Sequence, residues 1–130
     1  MTVKRIGLHG ARILILEDDY LLATDLQDAL EAAGALIVGP FGEEEEAQAA
    51  LAEGTLDCAF VDVNLGAGPS FAVPHELVGQ NIPFVFVTGY DAETIPDAFA
   101  DVVRIEKPVA AGLVVAAAAG LLQRSSEPSV

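Results

Sequence analysis

The sequence predicts an α/β domain built on a doubly wound parallel sheet, and three observations support this fold class. Five short, almost entirely apolar segments alternate with segments in which apolar residues recur every three or four positions. Continuous apolar strands are typical of a sheet that helices cover on both faces. The 130 residues, of which 52% are hydrophobic, suffice for one domain with a substantial core.

The five predicted strands are short and rich in β-branched or aromatic residues. They cover residues 12–16, 36–38, 58–61, 84–87 and 102–105. Between the first two strands, Leu22, Leu26, Ala29 and Leu30 follow a helical spacing, and Gly34 comes after them as a C-terminal stop. We therefore predict the first helix between these two strands.

The second helix is predicted to begin after Gly42, where four glutamates at residues 43–46 fill its first turn. Acidic side chains are favourable there because they face the positive end of the helix dipole. Further helices are predicted over residues 71–78, 92–100 and 109–123. We expect one domain over residues 11–123, with an N-terminal extension (1–10), a frayed polar tail (124–130) and no attached output domain.

The charge balance excludes several classes of partner. The chain has 20 acidic and 6 basic residues, a formal net charge of −14, and the basic residues are scattered. Nucleic acids and anionic membranes bind clustered Lys and Arg, so we expect neither as a partner. A single cysteine, Cys58, excludes an intrachain disulfide and a cysteine-rich zinc site. The longest uncharged apolar stretch, residues 109–122, is shorter than a membrane span, and we expect a cytoplasmic protein.

Polar side chains collect where the predicted strands end. In a doubly wound sheet, ligands bind outside the carboxyl ends of the strands. The residues at these ends are Glu17, Asp18, Asp19, Asp62, Asn64, Thr88, Gly89, Lys107 and Pro108. The sequence therefore predicts that they meet at one edge of the sheet and form the functional site.

Three carboxylates at this edge, those of Glu17, Asp18 and Asp62, call for a cation among them. Two like charges about 4 Å apart repel by roughly 4 kcal/mol at an effective dielectric constant of about 20. Mg²⁺ prefers oxygen ligands and binds through one or two carboxylates and several waters. We expect Asp18 and Asp62 to bind Mg²⁺ directly and Glu17 to bind it through a water. Asp19 is better placed to cap the helix that follows.

The same edge holds the groups that phosphoryl transfer to an aspartate requires. Lys107 supplies a second positive charge, Thr88 supplies a hydroxyl donor, and Gly89 leaves room beside them. A carboxylate can act as a nucleophile toward phosphorus when cations neutralise the oxygens of the transferred group. The pattern therefore predicts phosphorylation of Asp62, with Lys107 and Thr88 as catalytic residues.

These residues resemble the receiver domain of bacterial two-component response regulators. The matching segments are ILILEDD (13–19), FVDVNLG (60–66), FVFVTGY (84–90) and EKP (106–108), and the similarity covers residues 11–123. The resemblance implies a (βα)5, flavodoxin-like fold with strand order 2-1-3-4-5. The segment PFVFVTGY is similar to the P-F-x-F-A-T-G-Y signature of a subfamily of stand-alone receivers, with Val87 in place of the alanine.

The resemblance implies a role for each site residue in the matching motifs. Asp62 would be the phosphoacceptor, and Glu17 and Asp18 would be the acidic pair. Asn64 would give its backbone carbonyl to Mg²⁺. Lys107 would contact the phosphoryl group, and the bond between it and the following proline is expected to be cis, as it usually is in the family.

The resemblance also implies a conformational switch based on the Thr88 hydroxyl. Many receivers carry Tyr or Phe three residues before the lysine, where this chain has Arg104. Because of this departure, the usual coupling between the threonine and that aromatic ring does not carry over directly. Tyr90 is the candidate for the mobile ring, with a static surface ring as the alternative.

The expected partner is a sensor histidine kinase or a histidine phosphotransfer protein. The phosphorylated chain would signal through protein contacts, pass the phosphate onward or act as a phosphate sink, with no enzymatic activity beyond its own phosphorylation and dephosphorylation.

The principal alternative is a pseudo-receiver that binds partners without phosphorylation, against which the complete set of site residues argues. A phosphohydrolase of the haloacid dehalogenase type would need an aspartate at Asn64. An FMN-binding module would need a phosphate-binding loop at residues 17–19, which are all acidic.

The last predicted helix has no charged residue between positions 109 and 122. A helix that covers a sheet on one side should have a polar outer stripe. We therefore expect Val114, Val115, Ala118 and Leu122 to face a partner, either a second copy of the chain or a docking kinase. The alternative is that the alanines at residues 116–119 are simply good helix formers with little apolar area.

Overall fold

The computed structural model of the protein describes residues 8–63, 70–89 and 95–126. Its strands are β1 (Arg12–Leu16), β2 (Leu36–Phe41), β3 (Cys58–Asp62), β4 (Phe84–Thr88) and β5 (Arg104–Glu106). Its α-helices are α1 (Tyr20–Ala32), α2 (Glu44–Ala52), α3 (Ala72–Gly79) and α4 (Ala111–Ser126). Among these described helices, none is long and apolar enough to cross a membrane.

All five of these strands run parallel in one sheet, in the order β2-β1-β3-β4-β5. This confirms the predicted fold class and strand order. The register pairs Leu16 of β1 with Val61 of β3, and Asp62 of β3 with Val87 of β4. Strands β1, β3 and β4 therefore end at the same level, and the residues that follow them meet at one edge.

Alternate residues of each strand pack on opposite faces of the sheet, as the two-residue period of a strand requires. In β1, Ile13 and Ile15 belong to the core beneath α1 and α4, whereas Leu14 and Leu16 belong to the core beneath α2 and α3. Strands β3 and β4 are buried at every position. The sheet is therefore covered on both faces, as predicted, and Cys58 is a fully buried core residue.

The predicted starts of the first two helices are confirmed. Asp19 has extended backbone angles, and its side chain accepts a hydrogen bond from the Leu22 amide at 3.2 Å, so it is the N-cap of α1. In α2, the first turn contains Glu44, Glu45 and Glu46, which face the positive end of the helix dipole. The acidic run at residues 43–46 thus has a structural explanation.

Strand β2 continues to Phe41, beyond the predicted end at Val38. A Gly-Pro pair usually marks a turn, which is why the prediction stopped there. In the structure, the register moves from Leu14–Val38 to Leu16–Phe41, so one extra residue of β2 forms a bulge against β1. Because β2 is an edge strand, Pro40 deprives no further strand of a hydrogen-bond donor.

The predicted helix over residues 92–100 is wrong where the structure describes it. Residues 95 and 96 are not helical, and a short 3₁₀ helix, Asp97–Phe99, follows them. Pro96 explains the difference, because a proline lacks the backbone N–H and disfavours a helical residue before it. Residues 92–94 lie outside the described part of the chain.

The predicted partner face on the last helix is also wrong. Val114, Ala118 and Leu122 are at most 7% exposed and belong to the core between α1, α4 and the sheet. Val115 is half-buried against the same core. Residues four apart share one face of a helix, and here that face points to the sheet. It is therefore closed to a second copy or a kinase.

Leu8 belongs to the predicted N-terminal extension, yet it is fully buried in the core beneath α1 and α4. Its amide donates a hydrogen bond to the Ala33 carbonyl at 2.8 Å. The residue therefore packs as part of the domain.

Candidate functional site

The edge formed by the carboxyl ends of the strands brings the predicted site residues together. Glu17 follows β1, Asp62 ends β3, and Thr88 ends β4. These three polar residues are each at most 3% exposed, whereas Asp18 is exposed at the same edge. Lys107 follows β5, and its amide donates a hydrogen bond to the Thr88 carbonyl at 2.8 Å. The pairing of β5 with β4 therefore delivers the lysine to the site.

Lys107 forms ion pairs with both buried acids. Its Nζ lies 3.2 Å from Glu17 Oε1 and 3.2 Å from Asp62 Oδ2. The lysine side chain is 29% exposed, while the side chains of the two acids are 1% and 3% exposed. Buried charges are strongly unfavourable unless they are paired and hydrogen-bonded. Lys107 is thus the counter-charge that makes the burial of these acids tolerable.

Burial and Asp62 together make Glu17 a weak acid. The pKa of Glu17 is raised from 4.5 to about 8, mainly by burial; hydrogen bonding to Asp62 and the negative charge of Asp62 add to the shift, and Lys107 opposes it. For Lys107, burial lowers the pKa, but the negative charges of Glu17 and Asp62 outweigh it and raise the pKa overall. The Glu17 carboxyl therefore binds its proton more tightly in the metal-free protein than it would in water.

This raised pKa predicts that the metal-free protein loses stability as the pH rises from about 4.5 to about 8. Between these values the folded state holds a proton on Glu17 that the unfolded state has released, so the free energy of unfolding falls. Denaturant unfolding in EDTA should show that wild type loses a few kcal/mol relative to Glu17→Gln between about pH 5 and about pH 8. A difference between the two proteins that does not vary with pH would contradict this assignment.

Three carboxylates at the edge offer oxygen ligands for a metal ion. Glu17, Asp18 and Asp62 each place one oxygen within 4.8 Å of the other two. Glu17 Oε2 is buried and accepts no hydrogen bond from any group in the described part of the chain. A divalent cation would satisfy this oxygen and offset the clustered negative charge. The all-oxygen donor set suits Mg²⁺, so these residues fit the predicted metal.

Thr88 and Gly89 line the space beside the lysine. Thr88 Oγ1 is buried and, within residues 8–63, 70–89 and 95–126, has no hydrogen-bond partner. An unsatisfied buried hydroxyl costs about 1–3 kcal/mol. Binding of a ligand oxygen that accepts a hydrogen bond from this hydroxyl would therefore be favoured. At Gly89, an added Cβ would come no closer than 4.0 Å to Lys107 Cδ. The hydroxyl and the ammonium are therefore both available to an anionic group.

Two predicted site residues, Asn64 and Tyr90, lie outside the described residues, so their roles stay predictions. Arg104 is an exposed residue of β5. The bond between Lys107 and Pro108 is cis, as predicted.

One further group lies at the site that residue type does not predict, a backbone carbonyl. Phe41 O, at the end of β2, accepts a hydrogen bond from the Glu17 amide at 2.8 Å. Every residue has a carbonyl, so residue type does not mark this one. The neighbouring Gly39 and Pro40, which interrupt the apolar pattern of β2, are the local signal that could have found it.

Solved structures provide the comparisons with known proteins, since no protein-family model and no curated protein matches the chain. The solution structure of SdrG from Sphingomonas melonis Fr1 is 34% identical, with a TM-score of 0.71 over 87% of this chain and 97% of that chain. The signal receiver domain of a modulated diguanylate cyclase from Desulfovibrio desulfuricans G20 is 30% identical, with a TM-score of 0.78 over 89% and 96%.

A third structure shares the fold at lower identity. The REC domain of the response regulator PhyR from Erythrobacter litoralis is 23% identical, with a TM-score of 0.75 over 94% of this chain and 97% of that chain. Three findings point to the same family: the sheet order, the acidic edge with its lysine, and two relatives that are at least 30% identical over almost their whole length. The chain therefore belongs to the receiver domains of two-component response regulators.

Proposed function

We propose that the chain accepts a phosphoryl group on Asp62 in a Mg²⁺-dependent reaction. The donor would be a histidine of a sensor kinase or of a phosphotransfer protein, which implies a cytoplasmic location. The observation that carries the proposal is the environment of Asp62, a carboxylate 2% exposed at the sheet edge, with Lys107 Nζ 3.2 Å from its Oδ2 and two further acids beside it.

In the proposed reaction, a carboxylate oxygen of Asp62 attacks the phosphorus of the donor. An O–P bond forms as the P–N bond to the imidazole breaks, and the nitrogen keeps the electron pair and takes up a proton. Lys107 lies close enough to Asp62 to stabilise the negative charge on the transferred group. The Thr88 hydroxyl, which is buried without a partner in the described part of the chain, would donate to a phosphoryl oxygen.

We propose that Asp18 and Asp62 hold Mg²⁺ directly and that Glu17 holds it through a water. The predicted fourth ligand is the backbone carbonyl of Asn64, which lies outside the described residues. A bound Mg²⁺ ion would supply positive charge beside the phosphoryl oxygens. The positive charge of Mg²⁺ beside Glu17 would favour the carboxylate form and so oppose the rise in the pKa of Glu17.

A relative supports phosphorylation as the function. SdrG, 35% identical to this chain in a second structure, has been determined in a BeF3-activated conformation. By analogy we propose that phosphorylation changes the conformation of this chain, with the Thr88 hydroxyl as the responding group and Tyr90 as the mobile ring. The exposed position of Arg104 is compatible with this role for Tyr90, because no buried aromatic ring occupies that position of β5.

The proposed outputs are protein contacts, onward transfer of the phosphate, or action as a phosphate sink. The similarity of residues 83–90 to the stand-alone receiver signature favours a domain that acts through its own surface. In this proposal the chain catalyses only its own phosphorylation and dephosphorylation.

Incubation with Mg²⁺ and acetyl phosphate tests the proposal directly. Mass spectrometry should detect one phosphoryl group per wild-type chain, and the adduct should be stable to acid and labile to alkali, as an acyl phosphate is. Asp62→Asn should form no adduct. Asp101→Asn, which changes an exposed aspartate before β5, should behave as wild type.

Two results would contradict the proposal. An adduct that persists in Asp62→Asn would place the modification elsewhere. If folded wild-type protein gives no adduct with acetyl phosphate or with a phosphorylated histidine kinase, the chain is a pseudo-receiver that binds partners without phosphorylation.

A further inference from the structure

Strand β2 contacts β1 through its bulge immediately before the acidic pair of the site. Gly39 has a φ of +109°, which L side chains rarely adopt. A Cβ at this position would lie 2.8 Å from the Phe41 amide nitrogen and 3.0 Å from the Ile15 carbonyl oxygen. Both are backbone atoms, the first in β2 itself and the second in β1, so a side chain at position 39 would have to distort the bulge and push it away from β1.

The residues after the bulge lie against Glu17 and Asp18. Phe41 O accepts the hydrogen bond of the Glu17 amide at 2.8 Å. A Cβ on Gly42 would lie 3.8 Å from Asp18 Cα and 4.0 Å from Asp18 Cβ, so the backbone of the β2–α2 connection runs beside Asp18. One short segment, residues 39–42, therefore bonds the Glu17 amide and passes close to Asp18.

We infer that residues 39–42 position the acidic pair for metal binding, and that Gly39 is a positioning residue of the site. The inference rests on the proposed Mg²⁺ site. Loss of the close approach at Gly39 would move Phe41 O away from the Glu17 amide and release the chain at the end of β1. The carboxylates of Glu17 and Asp18 would then lose their fixed relation to Asp62, although all three ligands remain present.

Isothermal titration calorimetry of the protein with Mg²⁺ alone tests this inference, because it measures the affinity for the metal directly. We expect Gly39→Ala to weaken Mg²⁺ binding about ten-fold, the lower range for loss of a group that orients metal ligands. Amide hydrogen exchange at Glu17 should also become faster in Gly39→Ala, because its hydrogen bond to Phe41 O is weakened.

Gly34→Ala is the matched control. Gly34 has a similar φ of +103°, and a Cβ there would lie 3.0 Å from His9 Cα, so its replacement strains the backbone to a comparable degree. Gly34 follows α1 at the opposite end of the sheet, where the Gly10 amide donates to its carbonyl. Gly34→Ala should lower stability but leave Mg²⁺ binding within about two-fold and Glu17 exchange unchanged.

Gly42→Val tests the same segment if Gly39→Ala fails to fold. The φ of Gly42 is outside the left-handed region, so valine is tolerated there, but its side chain would press on Asp18. We expect weaker Mg²⁺ binding in this variant too. If every folded variant binds Mg²⁺ as tightly as wild type, the positioning role is refuted. If wild type itself does not bind Mg²⁺, the proposed function fails instead.

Discussion

Lys107→Ala is expected to lower the rate of adduct formation on Asp62 by about 100-fold, the loss typical of removing one group that stabilises developing charge. Lys107 Nζ is a positive group 3.2 Å from Asp62 Oδ2, close enough to act on a phosphoryl group that this carboxylate receives. We expect saturating Mg²⁺ to supply the positive charge that Glu17 and Asp62 lose in this variant, so circular dichroism in the assay buffer should show folded protein. The rate is measured by mass spectrometry with acetyl phosphate and saturating Mg²⁺.

Two variants sharpen this measurement. Arg104→Ala removes an exposed cation from β5, three residues before Lys107, and should leave the rate unchanged. This variant controls for the change in net charge. Lys107→Arg keeps the charge but replaces a compact ammonium with a planar guanidinium, so its rate should lie between those of wild type and Lys107→Ala. An unchanged rate in Lys107→Ala would show that the ammonium does not act on the transferred group.

Val114→Asp is expected to reduce the free energy of unfolding by on the order of 4 kcal/mol or more, because it buries an unpaired charge. Val114 is 2% exposed and packs with Leu26, Ala118 and their neighbours in the core beneath α1 and α4. Chemical denaturation followed by circular dichroism measures the loss. Since small domains are stable by only about 5–15 kcal/mol, a loss of this size is a large fraction of the total stability and should shift the denaturation midpoint clearly.

Leu113→Asp is the matched control, since it introduces the same charge one residue earlier in α4. Leu113 is 52% exposed, so its replacement should change stability by no more than about 0.5 kcal/mol. If Val114→Asp were as stable as Leu113→Asp, the inward face of α4 would be assigned wrongly, and the partner face predicted from sequence would regain its basis.

The fold and most of the site could be predicted because both follow from local pattern. Apolar runs of strand length separated by helical spacing specify a parallel sheet, and the residues after each run must then lie at its carboxyl edge. The prediction that Glu17, Asp62, Thr88 and Lys107 meet needed no more than that rule. Asp19 was identifiable as a helix cap for a similar reason, because an N-cap acts on amides a few residues away.

Other features depend on contacts between distant segments, which residue type does not reveal. Helix α4 has apolar residues on every side, so only its packing against the sheet and α1 shows that Val114 and Ala118 face inward while Leu113 faces out. The bulge at Gly39 is defined by its close approach to Ile15 in another strand. From sequence, the Gly39-Pro40 pair indicates only a turn, and not the bulge within β2 that the structure shows.

The amino-acid pattern was sufficient to predict the fold class, the strand order implied by the family resemblance, and which residues stand at the strand ends. Those properties depend on periodicity and on the order of residues along the chain. Contacts between distant segments determine the inward face of α4, the hydrogen bond between the Glu17 amide and β2, and the raised pKa of Glu17. The raised pKa results mainly from burial beside Asp62, and burial is a property of packing. The lysine that both acids contact, Lys107, lies 45 positions from Asp62 in the sequence.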